Sequence, residues 1–342
     1  MRIAHLLPTS AVFPLVKHNG RYEWALRLAK LQVASGHEVT IFAGNKSGEG
    51  TVTWRTTEPS DASKRERNLE LLHLAFEDDS FDVYHSHFDS LHYLAADATK
   101  KPVIVTQHWF PHQEIADSVR FNTRGNVIAV PVTQFMQDED TKLGIPKTNF
   151  IYHGIDLSLF SFSKTHEDRL LFVGRIHPNK GVDKAVEYAL ATQSKLDIIG
   201  KINATENEYW SRIEPRIDGE QIRYLGPKHL EEVALAYQTA KAVIFPSTHA
   251  EAFGQVTVEA QASGAPVIIS DVGASRELVH HGKTGFICHD DEDFISAIEA
   301  IDTIDRRACR RHAEKFDIHS MVDSYTNLYE QAIRSIDSTR AE

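Results

Sequence analysis

Short apolar runs rich in β-branched residues alternate along the chain with stretches whose apolar residues recur at helical spacing. The first half holds RIAHLL, EVTIFAG, FDVYHS, PVIVTQ and NVIAVP, and the second half holds RLLFVG, KLDIIG, QIRYLG, AVIFPS, PVIIS and GFICH. Apolar runs that alternate with helices are typical of a parallel β-sheet covered by helices. The pattern therefore predicts an α/β protein with two doubly wound parallel-sheet domains of similar size.

The stretch between the first two runs shows how one such unit is built. Residues 21–35 place Trp24, Leu28 and Leu31 at a period of about 3.6 residues, and Gly36 follows as a natural helix end. The two runs and the helix between them therefore predict a strand–helix–strand unit near the start of the chain.

The alternation stops at the polar, turn-rich segment HGIDLSLFSFSKTHEDR, residues 153–169, and resumes with RLLFVG. Such a segment is typical of a linker between domains. We therefore predict an N-terminal domain over residues 1–158 and a C-terminal domain over residues 159–317.

The last segment, residues 318–342, has the pattern of an amphipathic helix. Its apolar side carries Met321, Tyr325, Leu328, Tyr329, Ala332 and Ile336. Such a helix needs an apolar surface to cover, and we predict that it crosses back to the N-terminal domain.

The size and charge of the chain fit this organisation and exclude some partners. With 342 residues, the chain exceeds the length at which a single hydrophobic core usually stops growing, which favours two domains. The formal net charge of -11 argues against general binding to nucleic acid or anionic lipid, because both need a basic surface.

The cysteine content indicates a compartment. Cys288 and Cys309 are too few for a disulfide framework and suit a reducing environment, so the cytoplasm is the expected location. The N-terminal MRIAHLLPTS lacks the apolar run of a signal peptide, and no stretch approaches the roughly 18 apolar residues that span a bilayer. Any work at a membrane would therefore be done from its surface.

Two common nucleotide-binding motifs are missing or incomplete. No predicted strand is followed by G-x-G-x-x-G, which argues against a dinucleotide-dependent dehydrogenase. Gly282, Lys283 and Thr284 spell the end of a P-loop, but position 277 is Glu instead of glycine. We interpret HHGKTGF as a turn.

Three neighbouring histidines, His85, His87 and His92, invite a metal-site interpretation. The chain has 19 histidines, so close pairs are expected by chance, and no carboxylate completes a recognisable site. We interpret His85 and His87 as histidines at a strand end that line a cleft or face solvent, and we predict no metal site.

The segment FVGRIHPNKG, residues 172–181, follows a predicted strand and precedes a helix that begins near Val182. A strand end next to a helix N-terminus can hold an anion against backbone N–H groups. Arg175 offers a bidentate fork and Lys180 a mobile point charge, which together suit a diphosphate. The alternative is a solvated loop with two ordinary surface cations.

The segment AEAFGQVTVEAQASG carries two glutamates eight residues apart, Glu251 and Glu259, around a predicted helix start at Gly254. Eight residues of continuous helix would put the carboxylates about 12 Å apart and about 80° out of register, so they cannot form an acid/base pair. They would serve different groups of one elongated ligand, with the amides of Phe253 to Gln255 between them. The alternative is a capping acid and a helix-surface acid.

These two segments resemble motifs of the family 4 retaining glycosyltransferases. EAFGQVTVEAQASGAPVI is similar to the E-x7-E signature, and GRIHPNKG is similar to the diphosphate-binding G-R-x-x-x-x-K-G. SGHEVTIFAG, GIDLSLF and VGASRELVHHGKTGF also match in order and spacing, so the resemblance runs to about residue 330. It implies the GT-B fold, in which two Rossmann-like domains face a cleft, the second binding the nucleotide-sugar donor and the first the acceptor.

The resemblance also implies roles for single residues. Arg175 and Lys180 would neutralise the leaving diphosphate in place of a metal ion, and Glu251 would contact hydroxyls of the donor sugar. His108, in VTQHWF at the end of a first-domain strand, would lie near the reacting carbon. Its alternative is a strand-end histidine that is hydrogen-bonded to a neighbour.

The remaining implied contacts concern substrate binding. Glu259 would hold the ribose hydroxyls, the amides of Phe253, Gly254 and Gln255 would touch sugar and phosphate, and Gly226 and Pro227 would border the nucleobase. The family's first-domain loop commonly carries Gly-Gly, whereas this chain has Asn19 and Gly20, of which Gly20 matches the second glycine. Backbone approach to the donor phosphate is expected at Gly20.

The predicted function is therefore retaining, metal-independent transfer of a sugar from a UDP- or GDP-sugar to a hydroxyl acceptor, with no cofactor. The centre that forms as the nucleotide departs is oxocarbenium-like, and no covalent carboxylate nucleophile is expected. A non-catalytic nucleotide-sugar-binding protein and a sugar-nucleotide epimerase are the alternatives. The base, the sugar, the acceptor and the oligomeric state stay open.

Overall fold

The computed structural model describes residues 1–14, 20–45, 52–58 and 61–341, and the chain divides into two compact units. Unit 1 comprises Met1–Tyr152 and Met321–Glu342, and unit 2 comprises His153–Ser320.

The start of the predicted linker packs within unit 2, although the boundary predicted at residue 158 assigned it to the N-terminal domain. The His153 ring is buried and lies 5.6 Å from the ring of Phe253, measured between centroids. Ile155 forms an isolated parallel bridge with Asp317. These contacts place the change of unit at Tyr152, because His153 and the residues after it share the core of unit 2.

Within the described residues, each unit contains a six-stranded sheet, and every strand pair in it is parallel. The strands of unit 1 are β1 (Arg2–Leu6), β2 (Glu38–Phe42), β3 (Thr53–Arg55), β4 (Val83–Ser86), β5 (Val103–Thr106) and β6 (Val127–Val130). Those of unit 2 are β7 (Leu170–Val173), β8 (Leu196–Ile199), β9 (Ile222–Gly226), β10 (Ala242–Phe245), β11 (Val267–Ser270) and β12 (Gly285–Cys288). The orders β3-β2-β1-β4-β5-β6 and β12-β11-β10-β7-β8-β9 are those of Rossmann-like domains, which confirms the predicted fold class.

The helices connect these strands. They are α1 (Gly20–Ala34), α2 (Lys64–Phe76), α3 (Leu91–Ala95), α4 (Gln113–Val119), α5 (Gln134–Lys142), α6 (Val182–Ala191), α7 (Asn207–Ile213), α8 (Leu230–Thr239), α9 (Gln255–Ala262), α10 (Ser275–Leu278), α11 (Asp291–Ala300), α12 (Arg306–Ala313) and α13 (Ile318–Ala341). Within the described part of the chain, none of the helices combines the length and the apolar composition of a membrane-spanning segment.

Burial explains why the sequence pattern predicted the strands so well. Every residue of β4, β5 and β10 is buried, so these strands read as continuous apolar runs. The sequence missed only β3 among the described strands, because this edge strand has three residues and only Trp54 in it is buried.

The final helix has the amphipathic pattern that the sequence predicts. On α13, Met321, Tyr325, Tyr329 and Ala332 are buried, whereas Leu328 and Ile336 are half-buried. The residues from Met321 onward belong to unit 1.

Cys288 and Cys309 are both buried and form no disulfide.

Candidate functional site

The strand order of unit 2 defines where a ligand is expected. Chain connections run outward in opposite directions from β7 and β10, which are neighbours in the sheet, so a crevice opens at their carboxyl ends. The loop that follows β7 (residues 174–181, the β7 loop) contains Arg175 and Lys180. The loop that follows β10 (residues 246–254, the β10 loop) contains Glu251 and Gly254. Both sequence motifs therefore lie at this switch point.

The β7 loop is built from a short 3-10 turn, Pro178–Lys180, that ends at Gly181. The His177 ring accepts a hydrogen bond from the Asn179 N–H at 3.0 Å and so fixes the start of the turn. Gly181 has φ +69°, and a Cβ atom built there would lie 2.0 Å from the carbonyl oxygen of Pro246. The last glycine of the motif is thus required by close contact with the β10 loop.

The two loops are also joined by hydrogen bonds. The Thr248 N–H donates to the Asn179 carbonyl at 3.1 Å, and the Ser247 hydroxyl donates to the same oxygen at 2.8 Å. Lys180 Nζ donates to Glu251 Oε1, which forms an ion pair between the motifs. These contacts bring together two residues that are 71 positions apart in sequence.

The cations of the β7 loop have different surroundings. The Lys180 side chain is 15% exposed, its ammonium is paired with Glu251, and it lies 5.4 Å from the centroid of the Phe245 ring. Arg175 is exposed, and its side chain forms no hydrogen bond or ion pair with any residue the structure describes. One cation is therefore oriented in advance, and the other can turn toward an anion.

The β10 loop leads into α9, whose N-terminus completes the switch point. Gly254 precedes the helix with φ +92°, and no side chain caps the first turn that begins at Gln255. The buried Phe253 ring lies 5.7 Å from the Phe316 ring, which places this side chain inside unit 2. The partial positive charge of a helix N-terminus favours an anion there.

The second glutamate lies inside α9 and has a separate partner. The hydroxyl of Tyr237, a buried residue of α8, donates to Glu259 Oε2 at 3.1 Å. Burial, together with the nearby Glu259 charge, raises the pKa of Tyr237 well above its usual value, so the hydroxyl stays protonated. Glu251 precedes α9, so the distance estimated for a continuous helix does not apply to the pair.

Gly226 and Pro227 lie at the end of β9, which is an edge strand two positions from β7 in the described sheet. The Gly226 carbonyl accepts from the Gly200 N–H at 3.1 Å, and a Cβ at Gly200 would lie 1.9 Å from the Gly174 carbonyl oxygen. Backbone contacts thereby connect the carboxyl end of β7 with that of β8, and the carboxyl end of β8 with that of β9. The roles assigned to these residues stay predictions.

The two site residues predicted in the first domain lie at the carboxyl end of its sheet. Gly20 is the first residue of α1, and its neighbour Arg21 donates to Asp89, just past β4, at 3.0 Å. His108 follows β5, and its Nε2 atom lies 3.0 Å from His87 Nδ1. Asn19 lies outside the described residues.

A cavity of about 290 Å³ opens beside His108. Asp89, Gln107, Trp109 and His112 also line it. Its lining thus combines carboxylate, amide and imidazole groups with the exposed Trp109 ring.

The interpretation of His85 and His87 as residues that line a cleft or face solvent is wrong. Both are completely buried, and so is His5 on the neighbouring strand, which the sequence analysis did not single out. Burial lowers the pKa of His5 to about 4 and holds the pKa values of His85 and His87 well below the usual value. The spacing of two residues places His85 and His87 on one face of the strand, but burial of that face depends on α13.

Two family models match the chain. The model described as Glycosyl transferases group 1 matches residues 159–316, and the model described as Glycosyltransferase Family 4 matches residues 23–159. Together they extend from α1 to the end of the last short helical turn before α13.

Curated relatives and a solved structure point the same way. The D-inositol 3-phosphate glycosyltransferase of Geodermatophilus obscurus is 30% identical over 303 residues, which are 74% of this chain and 67% of that protein. Its counterpart from Rhodococcus erythropolis is 36% identical over 120 residues, which are 33% of this chain and 27% of that protein. The crystal structure of Anabaena HepE in complex with UDP and glucose has a TM-score of 0.77 at 18% identity, covering 97% of this chain and 100% of that one, which shows the shared fold.

Proposed function

The chain belongs to the glycosyltransferase family that these models describe, and we propose that it transfers a sugar from a nucleoside-diphosphate sugar to a hydroxyl acceptor. The family makes it a transferase of class EC 2.4, and its two Rossmann-like units are those of the GT-B fold. Retention at the anomeric carbon and independence of metal ions and cofactors are part of the proposal.

The observation that carries the donor proposal is the meeting of the β7 and β10 loops at the switch point of unit 2. Arg175 and the Lys180–Glu251 pair lie on these loops, and the uncapped N-terminus of α9 follows. A diphosphate can accept hydrogen bonds from two cationic side chains and from the N–H groups of a helix N-terminus at the same time. The HepE structure was determined with UDP and glucose, which favours the same ligand class.

The elongated shape of the donor fits the separate partners of the two glutamates. Glu259, held by Tyr237 inside α9, would accept hydrogen bonds from the vicinal ribose hydroxyls. Glu251, outside the helix, would contact hydroxyls of the sugar while it orients Lys180 toward the phosphates. Gly226 and Pro227 would border the base of a UDP- or GDP-sugar.

The acceptor is proposed to bind in unit 1. The cavity beside His108 presents Asp89, Gln107 and Trp109, groups that suit a polyhydroxylated molecule. In the reaction, the bond from the anomeric carbon to the diphosphate oxygen breaks and a bond to the acceptor oxygen forms on the same face. The acceptor proton passes to the leaving diphosphate, and no covalent bond forms between the sugar and the enzyme.

The test is a thermal-shift screen of UDP- and GDP-sugars, followed by assays of nucleoside diphosphate release with a panel of hydroxyl acceptors. We expect one donor class to raise the melting temperature and to be turned over, if only slowly to water. Release should persist in a chelator, and the product should keep the donor's anomeric configuration. Donor binding without turnover under any condition would contradict the proposed transferase activity. Inversion of the anomeric configuration would contradict the proposed retention, and a strict metal requirement would contradict the proposed independence of metal ions.

Replacing Glu259 with alanine is expected to weaken donor binding by about 10- to 100-fold, because hydrogen bonds to a charged group contribute about 1.5–3 kcal/mol. The turnover of donor-saturated enzyme should change much less. Tyr237→Phe keeps the carboxylate but removes the hydroxyl that holds it, so we expect a loss of affinity of at most about 10-fold. Titration calorimetry with the donor measures both variants, and unchanged affinity in Glu259→Ala would refute the ribose assignment.

A further inference from the structure

A continuous buried network of polar side chains lies behind His108 in unit 1. Its members come from or directly follow β1, α1, β4, β5 and α13, and each is at most 1% exposed. They are His87, His5, Gln32, Tyr329, His85, Thr106 and Tyr325. The edge of the Trp24 indole packs on this network, with its centroid 5.1 Å from the His108 ring and 5.8 Å from the His87 ring.

The part of the network nearest to His108 is a chain of imidazole rings. His108 Nε2 lies 3.0 Å from His87 Nδ1, and His87 Nε2 lies 3.0 Å from His5 Nδ1. The chain ends where His5 Nε2 lies 2.7 Å from Gln32 Oε1. Each ring nitrogen between His108 and Gln32 therefore has one hydrogen-bond partner in the chain.

The Gln32 amide sets the direction of these hydrogen bonds. Its Oε1 atom can only accept, so His5 carries its proton on Nε2 and, when neutral, accepts at Nδ1. His87 must then donate from Nε2, which leaves its Nδ1 to accept from His108 Nε2–H. One amide oxygen thus determines the protonated nitrogen of a ring that it does not touch.

The other half of the network continues from the amide nitrogen of Gln32. Gln32 Nε2 donates to the Tyr329 hydroxyl at 3.1 Å, and Tyr329 donates to His85 Nδ1 at 2.5 Å. His85 Nε2 in turn donates to the Thr106 hydroxyl at 2.7 Å. Turning the amide over would reverse every one of these bonds, so the direction of the whole network follows the orientation of this one amide.

Burial also keeps His5 and His87, the inner histidines of this row of rings, neutral. The pKa of His5 is lowered to about 4 by burial, and the pKa of His87 is held well below its usual value by burial and by the neighbouring rings. A neutral imidazole has one donor and one acceptor nitrogen, so the order of protons along the chain is defined.

We propose that His87, His5 and Gln32 are positioning residues that hold His108 as the tautomer protonated on Nε2, so that Nδ1 is its basic nitrogen. The inference rests on the proposed function, which places the acceptor beside His108, and on the predicted position of His108 near the reacting carbon. A fixed tautomer and a fixed ring give the same hydrogen-bonding face in every catalytic cycle.

A metal ion is the competing occupant of this region. Ligand atoms of His5, His85 and His87 lie within 4.8 Å of one another, and no Asp or Glu of the described chain joins the group. The ring nitrogens already have hydrogen-bond partners in a consistent order, and a metal ion would have to displace them. The observations therefore favour the neutral network.

The first measurement is nitrogen NMR of the full chain labelled in its histidines, with the His108 signals identified by their loss in His108→Gln. Protonated and unprotonated ring nitrogens have well-separated shifts, so the spectrum reports the tautomer directly. We expect His108 to be protonated on Nε2 alone. A spectrum showing Nδ1–H, a mixture of tautomers, or metal-bound shifts at His5 and His87 would overturn the proposal.

Two variants of His5 connect the tautomer to activity. His5→Leu removes the acceptor for His87 without touching His108, and we expect mixed His108 tautomers and a kcat lowered by at least about 10-fold, with little change in donor KM. His5→Asn places an amide oxygen near the lost Nδ1 position and should restore kcat to within about 3-fold of the original. Equal loss in both variants would overturn the role of the hydrogen bond.

The control is Tyr84→Phe, which removes a buried hydroxyl that donates to the Asp78 carbonyl at 2.7 Å on the same strand as His85. It should lower the melting temperature without changing kcat or the His108 spectrum. The NMR arm needs no substrate, so failure of the proposed function and failure of this inference give different results.

Discussion

Lys180→Ala is expected to lower kcat by about 100- to 1000-fold, with a smaller effect on donor affinity. Negative charge on the leaving diphosphate grows as the bond to the anomeric carbon breaks, so an ammonium held in place stabilises the transition state more than the bound donor. Lys180 meets this condition because Glu251 pairs with it and its side chain is only 15% exposed. Steady-state assays with saturating donor, using the acceptor found in the screen, measure the effect.

The matched control is Lys184→Ala, four residues further along the chain in the first turn of α6. Lys184 is a more exposed lysine, 39% by side chain, and it pairs with Asp291 at 3.0 Å instead of with Glu251. Its removal should leave kcat within about 3-fold, because exposed ion pairs contribute little. If Lys180→Ala performs as well as Lys184→Ala, Lys180 does not stabilise the departing diphosphate.

Gly181→Ala is expected to destabilise unit 2 by about 3 kcal/mol or more, which is large against the stability of a typical domain. The new Cβ would lie 2.0 Å from the carbonyl oxygen of Pro246, a backbone atom that cannot move without shifting the β10 loop. The residue also has φ +69°, which a side chain disfavours. Urea denaturation followed by circular dichroism gives the change in the free energy of unfolding.

Gly219→Ala separates the two causes in the same unit. Gly219 has φ +79°, but a Cβ there has no atom within 4 Å, so only the backbone penalty of about 1–2 kcal/mol applies. A larger loss at Gly181 than at Gly219 is therefore expected from steric contact between the loops. Equal losses would show that the β7 and β10 loops are not in the close contact that shapes the switch point.

The sequence predicted the features that depend on neighbouring residues. Fully buried parallel strands must be apolar along their length, so the runs around β4, β5 and β10 were visible, whereas the three-residue edge strand β3 was not. The glycines of the two motifs could also be recognised from the sequence, because the need for glycine arises from the local backbone conformation. Gly181 and Gly254 have positive φ values, which strongly favour glycine at those positions.

The sequence could not predict which distant residues would become partners. Tyr237 binds Glu259 from another helix. The Lys180–Glu251 pair joins two loops that are far apart in sequence but follow neighbouring strands of the sheet. His5 and Gln32 sit in ordinary strand and helix patterns, so neither could be recognised as part of a network behind His108.

The sequence by itself determined two doubly wound domains, the loops that carry the two motifs, and the family, because periodicity, glycine conformation and motif spacing are local properties. Only the tertiary structure decided that the motifs meet at the β7–β10 switch point and that α13 closes over the histidines of unit 1. Strand order and helix docking bring together residues up to 297 positions apart in the network. A buried polar group needs a hydrogen-bond partner, but the sequence pattern around it does not say which distant element will supply one.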